Sequence, residues 1–403
     1  MWTGCGSTTT TTTAVPPATE TTAAPPATET TTAPGPQKID AGSDNIITIG
    51  ASRAATGPFA FFDVNGLNGA QLAVDKINAE GGLGGNQITI VAKDTKSDPA
   101  VAGQVAEELL AAGAELLMVP DDMDMGIAAA QAGQAAGVLT FAPSASSVLF
   151  GPAVGDLFFN GGMNTDDLGN GGAVFLKEQG WDGEFSVTNN DFNFFQAQTE
   201  VFKAKAGVAD LGSAVMKSGQ TDYAPIISEI RQIASKFPDV KKPVIWGSLY
   251  FPDIATFIKQ LRDAGIDYPV LGNYTWSSPD LAKIIGPTRV SNIYMLEGAY
   301  YEGDDSPADM KEFVAAYQKA YGRYPESSQA VGAYWTMFAI FDAIKKAGSI
   351  TGADISKAMY EQSNLEVPGR TILKWVDGHQ YGIVHVVGFD DQGNFKLIES
   401  FMP

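Results

Sequence analysis

The chain has 403 residues, 44% of them hydrophobic and 18% charged. A single hydrophobic core rarely grows past roughly 250–300 residues, so two lobes or domains are expected, and wholesale disorder and collagen are excluded. The 26 basic and 46 acidic side chains give a net charge of −20, which repels phosphate backbones and argues against a nucleic-acid partner. No run of about 18 apolar residues is present, so no segment reads as a bilayer-spanning helix. The single cysteine, Cys5, excludes an intrachain disulfide framework and a thiolate zinc site. The two histidines, His379 and His385, are too few for a histidine-rich metal cluster and read as structural. No cofactor or metal is implied.

Residues 7–37 are almost wholly Thr, Pro and Ala, and the unit PPATETT occurs at 16–22 and again at 25–31. Such a stretch has no apolar face to bury and cannot offset its ordering entropy, so it reads as an extended linker, a candidate for Thr glycosylation. Thr3-Gly4-Cys5-Gly6-Ser7 resembles the end of a bacterial lipoprotein signal, which makes Cys5 the expected lipidation site and the membrane a partner through that anchor. The apolar and basic stretches of such a signal are absent upstream. A trimmed or mis-set start accounts for this, with a free thiol as the alternative.

From Asn45 onward the pattern alternates. Ile46–Gly50 reads as a strand ending in glycine, 66–80 as a helix stopped by Gly81-Gly82, and Gln87–Val91 as a strand. Helix 98–112, strand 115–119, helix 126–136 and strand 138–141 follow. A second round runs from helix 166–179 through strands near 184–188, 213–216, 243–247, 269–272 and 292–299, with helices between them. Helices at 307–320, 327–347 and 352–362 come next, then strand-like runs at 371–376, 382–389 and 395–401. Strand–helix alternation implies parallel sheets with right-handed crossovers, and two rounds imply two similar α/β lobes. Ligand sites of such sheets lie beyond the carboxyl ends of strands. Those ends carry many aromatic residues, among them Phe62, Phe192, Phe194, Tyr250, Tyr274 and Trp276, together with Asp121, Asp122, Asp124 and Asp191. The four aspartates read either as helix caps or as a site for a cation held over aromatic faces.

No G-x-S-x-G, G-x-x-x-x-G-K-[ST] or strand-borne G-x-G-x-x-G occurs, so nothing points to an enzyme. The pairs Asp121-Asp122, Asp166-Asp167 and Asp304-Asp305 are read as solvated or capping rather than as a glycosidase pair.

From about 46 to 401 the chain resembles the type I solute-binding proteins of ABC transporters, in the branched-chain amino-acid-binding group. The resemblance rests on Ile47–Gly50, Thr56-Gly57-Pro58, GLNGAQLAVDKINAEGG at 66–82, Asp94, Ala136-Gly137-Val138, Ala142–Ser146, Thr221-Asp222-Tyr223, 253–265 and Tyr334, in that order. It implies two Rossmann-like, doubly wound lobes joined by three crossing segments, with 1–44 as lipoprotein terminus and linker. Lobe one is then 45–163 with 298–372, and lobe two 164–297 with 373–403. It also implies a small solute bound between the lobes and, as partners, the permease subunits of an ABC transporter. A module reporting to a membrane sensor is the alternative, with a hydrolase on the same fold behind it. Carried over position by position, the site comprises Phe62, Met123 (a carboxylate-capping serine in the family), the Ser144 backbone, the Ser146 hydroxyl, Phe194, Tyr250, Tyr274 and Gln329. Tyr274 stands where the family has the acid that meets the ligand ammonium. The loss of that acid and of the serine implies a ligand other than leucine, isoleucine or valine, with a flat or apolar body.

Overall fold

The computed structural model describes Ile39 and residues 44–403 except 279. The expectations for Cys5 and for the linker at 7–37 lie outside the described residues. Strands β1 (Ile46–Arg53), β2 (Gln87–Asp94), β3 (Leu116–Met118), β4 (Leu139–Ala142) and β5 (Phe158–Asn160) alternate with helices α1 (Ala60–Ala79), α2 (Pro99–Ala111), α3 (Met123–Ala136) and α4 (Phe150–Val154). The second round comprises α5 (Thr165–Glu178), β6 (Gly183–Asn189), α6 (Asn193–Ala206), β7 (Ala209–Met216), α7 (Ala224–Arg231), α8 (Ile233–Lys236), β8 (Pro243–Ser248), α9 (Asp253–Asp263), β9 (Val270–Asn273), α10 (Leu281–Ile285) and β10 (Ile293–Glu297). The chain then runs through α11 (Ala308–Tyr321), α12 (Ser328–Ala347) and α13 (Gly352–Tyr360). It closes with β11 (Leu365–Val367), β12 (Arg370–Val376), β13 (His379–Gly382), β14 (Val384–Phe389) and β15 (Phe395–Phe401).

These strands form two sheets. One is eight-stranded, in the order β11-β12-β13-β5-β4-β3-β1-β2, and the other seven-stranded, in the order β15-β14-β10-β9-β8-β6-β7. Each contains five parallel strands in which the first lies between the second and the third. The order therefore reverses between β1 and β3 in one sheet and between β6 and β8 in the other, and loops part there to leave a crevice. Strands covered on both faces become continuously apolar: all of Leu116–Met118 is buried, as is Val244–Ser248. Apolar clusters with α1 and α12 and with α2 and α3 flank the first sheet, and two further clusters flank the second.

Several boundaries depart from the sequence expectation. β1 does not end at Gly50 but continues to Arg53, and α1 begins at Ala60, so Phe61 and Phe62 are helical. The run 382–389 is not one strand. Gly382 ends β13 in the first sheet, and Val384 opens β14, which pairs antiparallel with β10 in the second. Residues 373–382, expected with lobe two, thus hydrogen-bond into the first sheet through β12 and β13, and the chain changes sheets at Ile383.

Arg370 ties this region together. Its Nη1 donates to the carbonyls of Gly298 and Ile383 (both 3.0 Å), and its Nε donates to Gln380 Oε1 (2.9 Å). Its Nη2 lies 3.4 Å from the buried Asp167 carboxylate. Asp167 is therefore an ion-pair partner in the interior, not the solvated or capping residue expected.

Candidate functional site

The strand ends of the first sheet are organised around Arg53. This last residue of β1 is 2% exposed. Its Nη2 lies 2.6 Å from Asp121 Oδ2 and 3.1 Å from Asp63 Oδ1, and its Nη1 donates to Val119 O at 2.5 Å. Asp63, in the first turn of α1, also accepts from Ala54 N at 2.7 Å. Burial, reinforced by the Asp121 charge, pushes the Asp63 carboxyl up to about 6 against the pull of Arg53. Asp121 reaches onward, its Oδ1 accepting from Ser144 N at 2.8 Å, and Ser144 Oγ donates to Gln329 O at 2.9 Å. One buried guanidinium thereby fixes the loops after β1, β3 and β4 and the head of α12.

The glycines of the 66–82 stretch make room for this arrangement. A Cβ on Gly66 would lie 2.6 Å from Arg53 Nη2, and one on Gly69 only 1.8 Å from the Ala330 carbonyl of α12. Asp94 similarly binds Ala55 N, Thr56 N and Thr56 Oγ at 2.8, 3.2 and 2.7 Å, which explains why Thr56 and Asp94 occur together.

Rings dominate the strand ends of the second sheet. Tyr250, in the turn after β8, packs edge-on to Phe195 (centroids 4.3 Å apart) and Phe192 (5.2 Å) of the loop and helix after β6. Phe62 of α1 reaches it from the first sheet at 5.8 Å. Tyr274 lies in a single 3-10 turn after β9, shaped by Asn273, whose Oδ1 accepts from Thr275 N at 2.9 Å. The Tyr274 hydroxyl meets Ser146 Oγ from the first sheet at 2.6 Å, and its ring lies 5.9 Å from Phe194. Burial holds the Tyr250 and Tyr274 hydroxyls well above the ordinary tyrosine range, so both stay protonated.

A cavity lies beside these contacts, with Ser144, Gly162, Gln329 and Trp335 from the first sheet's side and Tyr274 and Glu297 from the second's. Of the residues expected from the sequence, Ser144, Tyr274 and Gln329 reach its wall, while Ser146 and Phe194 touch Tyr274. Phe62 and Tyr250 are not on that wall but belong to a ring cluster that continues through Phe195 and Phe194 to Tyr274. Met123 heads α3 and contacts Ser147. Glu297 and Trp335 were missed by sequence reasoning.

The expected alternative of aspartates meeting a cation over aromatic faces does not fit. Asp121 pairs with Arg53, and Asp122 caps α3 by accepting from Met125 N at 3.2 Å. Asp191 accepts from Ser218 N at 2.8 Å, and Asp124 is exposed. Among the described residues no helix is long and apolar enough to cross a membrane, and no group of three or more His, Cys, Asp or Glu is placed to hold a metal ion.

Relatives share this architecture. The Leu/Ile/Val-binding protein homolog 1 of Brucella melitensis is 23% identical over 354 residues, covering 82% of this chain and 91% of its own. A leucine-, isoleucine-, valine-, threonine- and alanine-binding protein of Pseudomonas aeruginosa is 24% identical over 357 residues, covering 87% of each. The crystal structure of the branched-chain amino acid transporter substrate binding protein LivJ of Streptococcus pneumoniae, in complex with isoleucine, superposes with a TM-score of 0.71 at 23% identity, covering 89% of this chain and 99% of that one. An ABC-transporter solute binding protein of R. palustris in complex with 4-hydroxybenzoate gives 0.70 at 20% identity, covering 89% and 98%. The profile of the family described as periplasmic binding protein matches residues 46–393; with its two doubly wound sheets, the chain belongs to the periplasmic binding protein family.

Proposed function

We propose that this chain is the extracytoplasmic substrate-binding lipoprotein of an ABC uptake transporter. It takes a small amino-acid-like or aromatic solute between two lobes and presents it to membrane permease subunits. The cavity with walls from both sheets carries this reading. Isoleucine and 4-hydroxybenzoate, the ligands of the two similar structures, bracket the chemistry. Lobe one comprises 45–163 with 298–382, and lobe two 164–297 with 383–403. Cys5, lipidated, anchors the protein, and the Thr/Pro-rich stretch holds it off the membrane.

The test is mass spectrometry of the solute released from gently denatured protein, followed by scattering and melting with that solute added back. Binding should shrink the radius of gyration and stabilise the fold by about 2.7 kcal/mol at a hundredfold excess over Kd. An unchanged radius at saturation would count against a closing pair of lobes. Cys5→Ala should release the protein from membranes, and retention there would sink the anchor.

A further inference from the structure

Four acidic side chains are buried among the described residues: Asp63, Asp167, Glu184 and Glu297. Three have a cation: Arg53 for Asp63, Arg370 for Asp167 and Lys203 for Glu184. Glu297 is 1% exposed and joins no ion pair. Its one hydrogen-bond partner among these residues is the Ser277 hydroxyl, which donates to Oε1. Instead of a cation it has a second acid nearby. Burial first, then the Glu302 charge, hold its carboxyl well above the ordinary range, and Glu302 itself is pushed up to about 7 by burial. Glu302 Oε1 is buried without a hydrogen-bond partner among the described residues. A lone carboxylate removed from water must either keep its proton or gain a counter-charge.

Of the four, Glu297 is the acid on the cavity wall, beside the Tyr274 and Trp335 rings. The register of β10 on β9 pairs Leu296 with Asn273, so Glu297 and Tyr274 are the next positions on adjacent strand ends, at one level of the site. The resemblance places the ammonium-binding acid of the branched-chain group at position 274, and a carboxyl stands one strand over.

We propose that Glu297 is the counter-charge for an amine-derived cation on the solute, so that the cavity selects amine-bearing solutes over aromatic or aliphatic acids that lack one. The inference rests on the solute-binding reading above. An ammonium at this point gains the carboxylate and the adjacent aromatic faces together. No Lys or Arg is among the described residues lining the cavity, so a carboxylate without an amine would meet Glu297 with no lining cation to offset it.

The full chain is titrated calorimetrically with isoleucine and its deaminated acid, with tyramine and its deaminated phenol, and with 4-hydroxybenzoate. The solute released from the protein is identified by mass spectrometry. The amine-bearing member of each pair that binds should do so at least about tenfold more tightly, given what an unpaired buried charge costs. Glu297→Gln should abolish that preference while the melting temperature is held or raised. Glu302→Gln, which removes the neighbouring like charge, should keep the preference and shows that neutralising an acid in this region does not by itself disable the site. Equal or tighter binding of the amine-free members, a released solute without a basic nitrogen, or a preference that survives Glu297→Gln overturns the assignment and leaves the solute-binding reading standing. Binding of no solute, with none released, overturns both.

Discussion

The two sheets end in different materials. At the strand ends of the first, Arg53 answers Asp63 and Asp121, and the bonded chain continues through Ser144 to Gln329. At those of the second, Tyr250, Phe192, Phe195 and Tyr274 supply rings, and the carboxyls of Glu297 and Glu302 lack a cation. Both regions contain buried acids, but only the first is complete within the protein. A complete ionic cluster fixes loops in place. An incomplete one beside aromatic walls is suited to being finished by something that enters.

Breaking the complete cluster should have the largest effect. Arg53→Ala leaves two carboxylates without their cation and should cost about 3–5 kcal/mol of unfolding free energy in urea. A loss below about 1 kcal/mol would mean that the cluster does not hold the first lobe's loops. Among the rings, Tyr250→Ala should weaken binding of the released solute by more than about 1.5 kcal/mol by calorimetry, in addition to the stability lost with its ring contacts, since buried aromatic anchors dominate recognition. If stability falls and affinity does not, the ring cluster is packing rather than a binding surface. Tyr274→Phe deletes the hydroxyl that meets Ser146 across the lobes and should shift the solute-free protein toward a larger radius of gyration by about 1 kcal/mol. An unchanged scattering profile would show that this bond does not favour closure.

The smallest effect concerns pH. Glu302 is pushed up to about 7 from an ordinary 4.5, so between those values the folded chain holds a proton that the unfolded chain has released. The stability from this group is complete below the lower value and is lost as pH rises through the upper one. Glu302→Gln should therefore flatten the decline of melting temperature across that window. Parallel curves for variant and parent would refute the buried acid pair.

The alternation of strands and helices was legible because parallel strands are short apolar runs and most helices carry a glycine stop or a polar cap. Where such punctuation was missing, the reading slipped. Phe59 heads α1 without a side-chain cap, so the helix start looked like aromatic loop. Gly382-Ile383-Val384 continues a β-rich pattern, and nothing in it marks a change of sheet. The site was legible at Ser144, Tyr274 and Gln329 only through resemblance. Glu297 escaped because an acid closing Tyr-Met-Leu-Glu reads as an ordinary solvated strand end. Its burial is set by β9 and β14 on either side, contacts remote in sequence. The available signal was a charge at the end of a strand otherwise buried on both faces.

The position of Arg370 has a mechanical consequence. Its guanidinium holds carbonyls on the second and third crossing segments and an acid just beyond the first. Sliding one lobe along the other would break the charge-assisted hydrogen bond to Ile383 and the buried ion pair with Asp167 together, the hydrogen bond alone worth about 1.5–3 kcal/mol. Twisting about the guanidinium breaks neither of them. The clasp thus acts as a pivot that permits rotation and resists shear. Glu297, the residue immediately before one of the gripped carbonyls, sits where torque from an entering charge would have the shortest lever arm.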